Sequence, residues 1–207
     1  MNLPLFASLI VFLLVLGRVL RKSTKQLKEE QQSFWQRERA SNEVRKKPLD
    51  DLEYISIPLD KLPIKIFSED SIIGECVEVL LALSACKIVN LTGISNTDLK
   101  FTYGTANITV LSEYDQNYTL LVTTLQKWAD RLMDLEDTSS ARTVLEYAVS
   151  INSDITKTYI MLADIYDKLE ASPDIQNLMI AAEKLTTPSG KIILRKLQQT
   201  YGGTCHE

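Results

Sequence analysis

Residues 125–132 read Leu-Gln-Lys-Trp-Ala-Asp-Arg-Leu, and residues 159–166 read Tyr-Ile-Met-Leu-Ala-Asp-Ile-Tyr. Shifted by 34, the two stretches coincide in pattern: Leu125 with Tyr159, Trp128 with Leu162, Ala129 with Ala163 and Leu132 with Tyr166. The match continues downstream, where Leu145 meets Met179 and Ala148 meets Ala182. Large residues at helical spacing, with a small one where two helices must cross closely, are what stacked helical hairpins require. This spacing predicts an all-α fold for the last third of the chain.

At these positions the chain resembles the tetratricopeptide repeat. That family sets a large residue, Leu-Gly and Tyr in the first helix of each hairpin, then Ala, a large residue and Ala in the second, with a closing Pro. The first unit here offers Leu125, Trp128-Ala129, Leu132, Ala141, Leu145 and Ala148; the second offers Tyr159, Leu162-Ala163, Tyr166, Ile175, Met179, Ala182 and Pro188. Ile175 stands where the family has a small residue, and the first unit has no closing Pro. Ile192, Ile193, Leu197 and Tyr201 fit a terminal helix capping the stack. Two repeats are fewer than a solenoid needs alone, so helices within 68–117 are expected to complete the core.

The resemblance implies a groove lined by the inner face of the first helix of each hairpin. Carried over position by position, that face holds Thr123, Gln126, Asp130 and Asp134, then Lys157, Ile160, Asp164 and Asp167. Members of the family that clamp a peptide carboxylate carry Lys and Asn where this chain has Gln126 and Asp130, so that activity is not implied. Four aspartates suggest instead a basic protein ligand.

Outward from the repeats, the N-terminus shows two segregations. Leu3 to Gly17 contains no charged residue, and Val19 and Leu20 extend the run past Arg18. Eighteen residues in a helix span about 27 Å, enough for a bilayer core if Arg18 snorkels to the interface. No Lys or Arg precedes the run, and Arg18, Arg21 and Lys22 stand where a signal peptide would be cut, which favours an uncleaved anchor. Residues 18–47 then carry ten basic and four acidic side chains, +6, against −4 for the whole chain, leaving −10 for residues 48–207. Basic residues after the anchor and none before it place the domain on the cytoplasmic side. Three unpaired-looking cysteines, Cys76, Cys86 and Cys205, fit a reducing compartment. Against this stand three N-glycosylation triplets at Asn90, Asn107 and Asn117, which favour the opposite topology.

Residues 21–47 lack Gly and Pro and are expected to continue as a basic juxtamembrane helix until Pro48, with Leu20, Leu27 and Phe34 recurring every seventh position. In 54–66, alternating Ile55, Ile57, Leu59 and then Leu62, Ile64, Ile66, interrupted by Pro58 and Pro63, predict an extended strap or edge strand. The next helix is expected to start with Ser68 as cap and a Phe67–Ile72 staple, and to bury Ile72, Ile73, Cys76, Val77, Leu80 and Leu83. Residues 90–117 are polar and Asn/Thr-rich, with a short helix from Asn96-Thr97-Asp98 that Gly104 ends. Loops on rigid scaffolds often carry function, which makes Asn96, Asp98, Lys100 and Tyr103 further candidates. The layout, through Phe34-Trp35, Tyr54-Ile55-Ser56-Ile57-Pro58 and Asn96-Thr97-Asp98-Leu99-Lys100, also resembles membrane-anchored proteins of clostridial bacteria; that resemblance implies no activity.

Nothing in the sequence assembles chemistry. The single histidine, His206, is next to the C-terminus, no His/Cys cluster has metal-ligand spacing, and Gly202-Gly203 lacks the context of a phosphate loop. The expectation is a non-enzyme without cofactor, metal, small-molecule substrate or nucleic acid. Its segments are an anchor at 1–20 in the lipid bilayer, a juxtamembrane helix at 21–47, a strap at 48–67, helices at 68–117 and repeats with a capping helix at 118–204. Two functions fit, a membrane-tethered adaptor binding a protein partner or an accessory subunit of a membrane complex. The +6 segment or the strap is a candidate to occupy the groove in cis.

Overall fold

A computed structural model describes residues 3–202; within the first helix it describes side chains at 12, 16–18, 20–22, 24–25 and from 27 on. Eight α-helices follow in order: α1 (Leu3–Asn42), α2 (Ser71–Ser84), α3 (Asn96–Tyr103), α4 (Ile108–Asp134), α5 (Thr138–Ser150), α6 (Thr156–Lys168), α7 (Ser172–Glu183) and α8 (Pro188–Tyr201). Thr105–Asn107 forms a 3-10 turn. No strand occurs among the described residues, only an isolated bridge between Tyr54 and Val89. The protein is all-α. Among the described residues no helix is long and apolar enough to cross a membrane. The anchor expected at 3–20 falls largely on side chains outside the described ones.

The chain forms two compact units. The first comprises residues up to Pro48 together with Ser95–Ile108, the second Leu49–Ile94 and residues from Thr109 on. In the first unit α1 ends at Asn42, not at Lys47 as expected. The chain instead turns to pair with the end of α3, the Lys47 amide donating to the Tyr103 carbonyl at 3.0 Å. Pro48 still explains why Lys47 is not helical. Ser95 caps α3 by accepting the Asp98 amide, and Gly104, at φ +86, ends it as the sequence predicts. A Cβ at Gly104 would also collide with the Arg45 carbonyl and lie 2.9 Å from Lys46 Cα, so both conformation and space require glycine.

In the second unit, residues around 54–66 depart from the expected extended strap. Ile55 does run extended, its amide bonded to the Ile88 carbonyl, but from Pro58 the chain coils into turns, with Lys61 and Leu62 donating back to Pro58 and Ile66 to Pro63. Proline lacks an N–H and has a fixed φ, so both prolines begin turns rather than sit in a ladder. Leu62 is buried, and Ile55, Ile57 and Ile64 pack on the core. The start of α2 also differs from expectation: Asp70, not Ser68, is the cap, its carboxylate accepting the Ile72 and Ile73 amides. Phe67 lies at φ +51 and is exposed, as is Ile72, so no Phe67–Ile72 staple forms. Ile73, Cys76, Leu80 and Leu83 form the buried stripe.

The small residues of the 34-residue pattern lie in the core. Ala129, Ala148, Ala163 and Ala182 are all 0–1% exposed, alongside the fully buried Trp128, Tyr159, Leu125 and Leu162. α6 packs against α5, α7 and α8, and α7 against α8. The period of 34 also appears in the backbone. After α4, Glu136 (φ +60) sits between the bonds Leu135 N to Arg131 O and Asp137 N to Leu132 O; after α6, Glu170 (φ +54) sits between Leu169 N to Ile165 O and Ala171 N to Tyr166 O. Each is a left-handed helix ending, which satisfies the last carbonyls of its helix. Ile193, Leu197 and Tyr201 of α8 close the far end of the core, while Ile192 is exposed.

Candidate functional site

The face implied by the repeat resemblance lies within the second unit. Thr123, Gln126, Asp130 and Asp134 of α4 line one cleft of about 380 Å³ with Ile72, Lys127 and Arg131. Lys157, Ile160, Asp164 and Asp167 of α6 line another of about 410 Å³ with Met133, Met161 and Lys168. All eight predicted positions therefore line concave surface.

Polar contacts tie the two helices together along this face. Gln126, 8% exposed, accepts the Thr158 hydroxyl at 2.7 Å and donates to Asp130 at 2.7 Å and to the Met161 sulfur. Asp130 in turn pairs with Lys157 at 2.7 Å. Asp164 accepts the Tyr201 hydroxyl of α8. Burial and that carboxylate together push the Tyr201 phenol well above its usual range. Asp134 and Asp167 are exposed at the ends of α4 and α6, where an acid lies at the negative end of the helix dipole.

The charge balance differs from the acidic groove expected. Each cleft holds two aspartates and two basic residues: Lys127 and Arg131 in the first, Lys157 and Lys168 in the second. Lys127 reaches Glu75 of α2 at 2.7 Å, and Arg131 grips Asp70 through Nε and Nη2. The acidic repeat is thus partly neutralised in cis, and the exposed carboxylates that remain are Asp134, Asp164 and Asp167. Lys127, Arg131 and Lys168, and Met133 and Met161 beside the expected Ile160, were missed in the sequence. A signal was present for two of them, since Lys127 and Arg131 stand one turn apart beside Gln126 and Asp130.

The second set of candidates lies elsewhere, in the first unit, and is occupied by contacts within it. Asp98 pairs with Arg37 and accepts the Ser95 hydroxyl. Lys100 pairs with Glu38, whose other oxygen accepts the Thr97 hydroxyl at 2.6 Å; these donors hold the Glu38 carboxyl below its usual range. The Tyr103 carbonyl accepts from Lys47 and from the Asn107 carboxamide. Asn96 is exposed. Asp98 and Lys100 fasten α3 to α1, and the Tyr103 carbonyl holds the chain just beyond it.

The strap does not enter the groove. Tyr54, Ile55 and Ser56 line a separate cleft of about 360 Å³ with Tyr147, Ser150 and Asn152, and the Tyr147 hydroxyl bonds the Ser56 carbonyl. Occupation of the groove by the strap is therefore corrected. The glycosylation triplets have structural roles: Asn107 is 1% exposed and donates to the carbonyls of Lys47 and Tyr103, Asn117 donates to the Lys87 carbonyl, and Asn90 accepts the Thr92 amide. Cys76 is packed in the core, where burial raises its thiol pKa, and Cys86 is exposed; Cys205 and His206 lie outside the described residues. Among the described residues no cluster of His, Cys, Asp and Glu could hold a metal ion.

Comparison with known proteins gives no counterpart: no family model, no curated protein and no solved structure matches the chain.

Proposed function

We propose that this chain is a membrane-anchored, tetratricopeptide-like adaptor that grips a protein partner along the face of α4 and α6 and performs no catalysis. The observation that carries the binding reading is that the eight residues implied by the repeat resemblance line two clefts, one on α4 and one on α6. The matching left-handed turns at Glu136 and Glu170 support the repeat assignment. An apolar floor of Ile160 with the half-buried Met133 and Met161, flanked by charges of both signs, suits a segment that places an apolar side chain between polar ones; methionine adapts to such partners. The anchor and the cytoplasmic side rest on the uncharged run from Leu3 to Gly17 and the basic residues after it. That all three triplet asparagines have internal hydrogen bonds weakens the argument for the opposite topology.

The accessory-subunit reading is favoured by a different observation, the exposure of Ile180 on α7 and Ile192 on α8, about half accessible each. Site-specific photo-crosslinking of the full chain in its native cells separates the two. A photoreactive residue at Thr123 or Ile160 is expected to trap a protein, and the Asp134→Asn/Asp167→Asn pair is expected to weaken that adduct. Adducts from Ile180 or Ile192 with none from Thr123 or Ile160 would replace the adaptor by the accessory subunit.

A further inference from the structure

α8 (Pro188–Tyr201) contains no aspartate or glutamate. One side of it belongs to the core, with Ile193, Leu197 and Tyr201 buried. The other side carries Lys191, Arg195 and Lys196, all exposed, and Ile192, accessible at 50%. At about 100° per residue, Lys191, Arg195, Ile192 and Lys196 follow in that order across about 140° of the helix. Lys191 and Arg195 stand one turn apart, as do Ile192 and Lys196, so the four form one contiguous patch.

Among the described residues no ion pair includes Lys191, Arg195 or Lys196. This holds although α6 and α7, which pack against α8, carry Asp164, Asp167, Asp174 and Glu183. The clefts differ in this respect, since Lys127, Arg131 and Lys157 each hold a carboxylate in cis. α8 also starts without an acidic residue in its first turn, and Thr187 at its N-cap makes no side-chain capping bond. The positive end of its dipole is therefore left without an offsetting acid.

We infer that this face of α8 docks an acidic segment of a partner protein, which sets an apolar side chain against Ile192 and carboxylates against Lys191, Arg195 and Lys196. Charge complementarity selects the sign of the occupant. The Arg195 guanidinium can hold a carboxylate through two parallel N–H bonds. Net charge selects its size. Residues 48–207 carry −10, so a nucleic acid or an anionic bilayer that extends past the patch meets repulsion. A short segment stays within the screening distance of about 8 Å and feels the patch itself. A bilayer is disfavoured a second way: an interfacial helix needs a broad apolar face, and that of α8 is already packed into the core. The face does not depend on the clefts of α4 and α6, because none of its four residues lines either one.

Photo-crosslinking of the full chain in its native cells tests this, with the photoreactive residue at Gln199. That position is exposed, lies between Arg195 and Ile192 on the helix circumference, and leaves the patch intact. The expected adduct joins Gln199 to a segment of another protein rich in Asp and Glu, read by mass spectrometry of the crosslinked peptide. Lys191→Glu/Arg195→Glu/Lys196→Glu should lower its yield about tenfold or more, because like charges then face each other. Lys61→Glu/Lys65→Glu, the same kind of change at exposed positions elsewhere on the domain, should leave the yield unaltered. Changing the carboxylates of the trapped segment to lysine should restore the adduct of the triple variant, which also shows that this variant is folded. A swap that restores nothing, an adduct indifferent to the triple reversal, or no adduct overturns the inference. So does an adduct to lipid, to a second copy of this chain or to a segment without acidic residues.

Discussion

Asp70 shows how much one side chain decides. Its carboxylate accepts two amides at the start of α2, from Ile72 and Ile73, and two N–H groups of Arg131, which stands 61 residues farther on. Arg131 first, then the Ile73 amide, holds the Asp70 carboxyl below its usual range. A carboxyl with a lowered pKa contributes stability that is complete above its unfolded pKa and is lost as pH falls through the folded one. Asp70→Asn is therefore expected to lower the melting temperature at neutral pH, and the gap to the parent should close on acidification below about pH 4. A gap that stays constant down to pH 2 would deny the ion pair its part. Sequence pointed to Ser68 as the cap, and the pairing with the distant Arg131, which holds Asp70 at the start of α2, is not visible in it. Tyr159 is the reverse case. Its ring is fully buried, burial pushes its phenol up to about 12, and its hydroxyl has no hydrogen-bond partner among the described residues. An unpaired buried hydroxyl costs on the order of 1–3 kcal/mol, so Tyr159→Phe should raise stability in denaturant melts by about 1 kcal/mol.

Among elements, the helices from α4 to α7 were readable because their pattern of large and small residues is local and recurs. Ala129 and Ala163 announce close helix crossings by size alone, and both are buried. Ala163→Leu should cost about 1–3 kcal/mol by overpacking the place where α6 meets its neighbours. The turns carry the same period with a residue that sequence does not flag: Glu136 and Glu170 are left-handed, where glycine is usual. Glu136→Gly and Glu170→Gly should each stabilise by about 1 kcal/mol, by similar amounts, because the two turns share one hydrogen-bond pattern. Unequal or opposite effects in chemical denaturation would break the equivalence of the repeats. The strap and the end of α1 were less readable. Alternation in 54–66 marked which side chains are buried but not the turns at Pro58 and Pro63, and the end of α1 depends on α3, which no periodicity in either segment reveals.

Over the whole molecule, the candidate face was legible in position and only partly in charge. Its positions follow from a repeat, whereas neutralisation of Asp130 by Lys157 and the basic residues facing α2 depend on contacts between helices far apart in sequence. The first unit had no sequence signature, since polar groups make it: Arg37 with Asp98, Glu38 with Lys100 and Asn107 with two carbonyls. Gly104→Ala should disturb it as one body. Amide exchange at Lys47 and Thr105, each bonded across to the other stretch of chain, is expected to accelerate together in mass-spectrometric deuterium labelling. That unit is also built from two separated stretches of chain, α1 and Ser95–Ile108. Glu38 and Thr97, which meet in it, stand 59 positions apart, so during synthesis at about 5–20 residues per second the end of α1 waits roughly 3–12 s for its partner to emerge. While synthesis continues, the chain therefore exposes a basic helix whose far end is still bare, and a chaperone or a neighbouring nascent chain has that interval in which to reach it first.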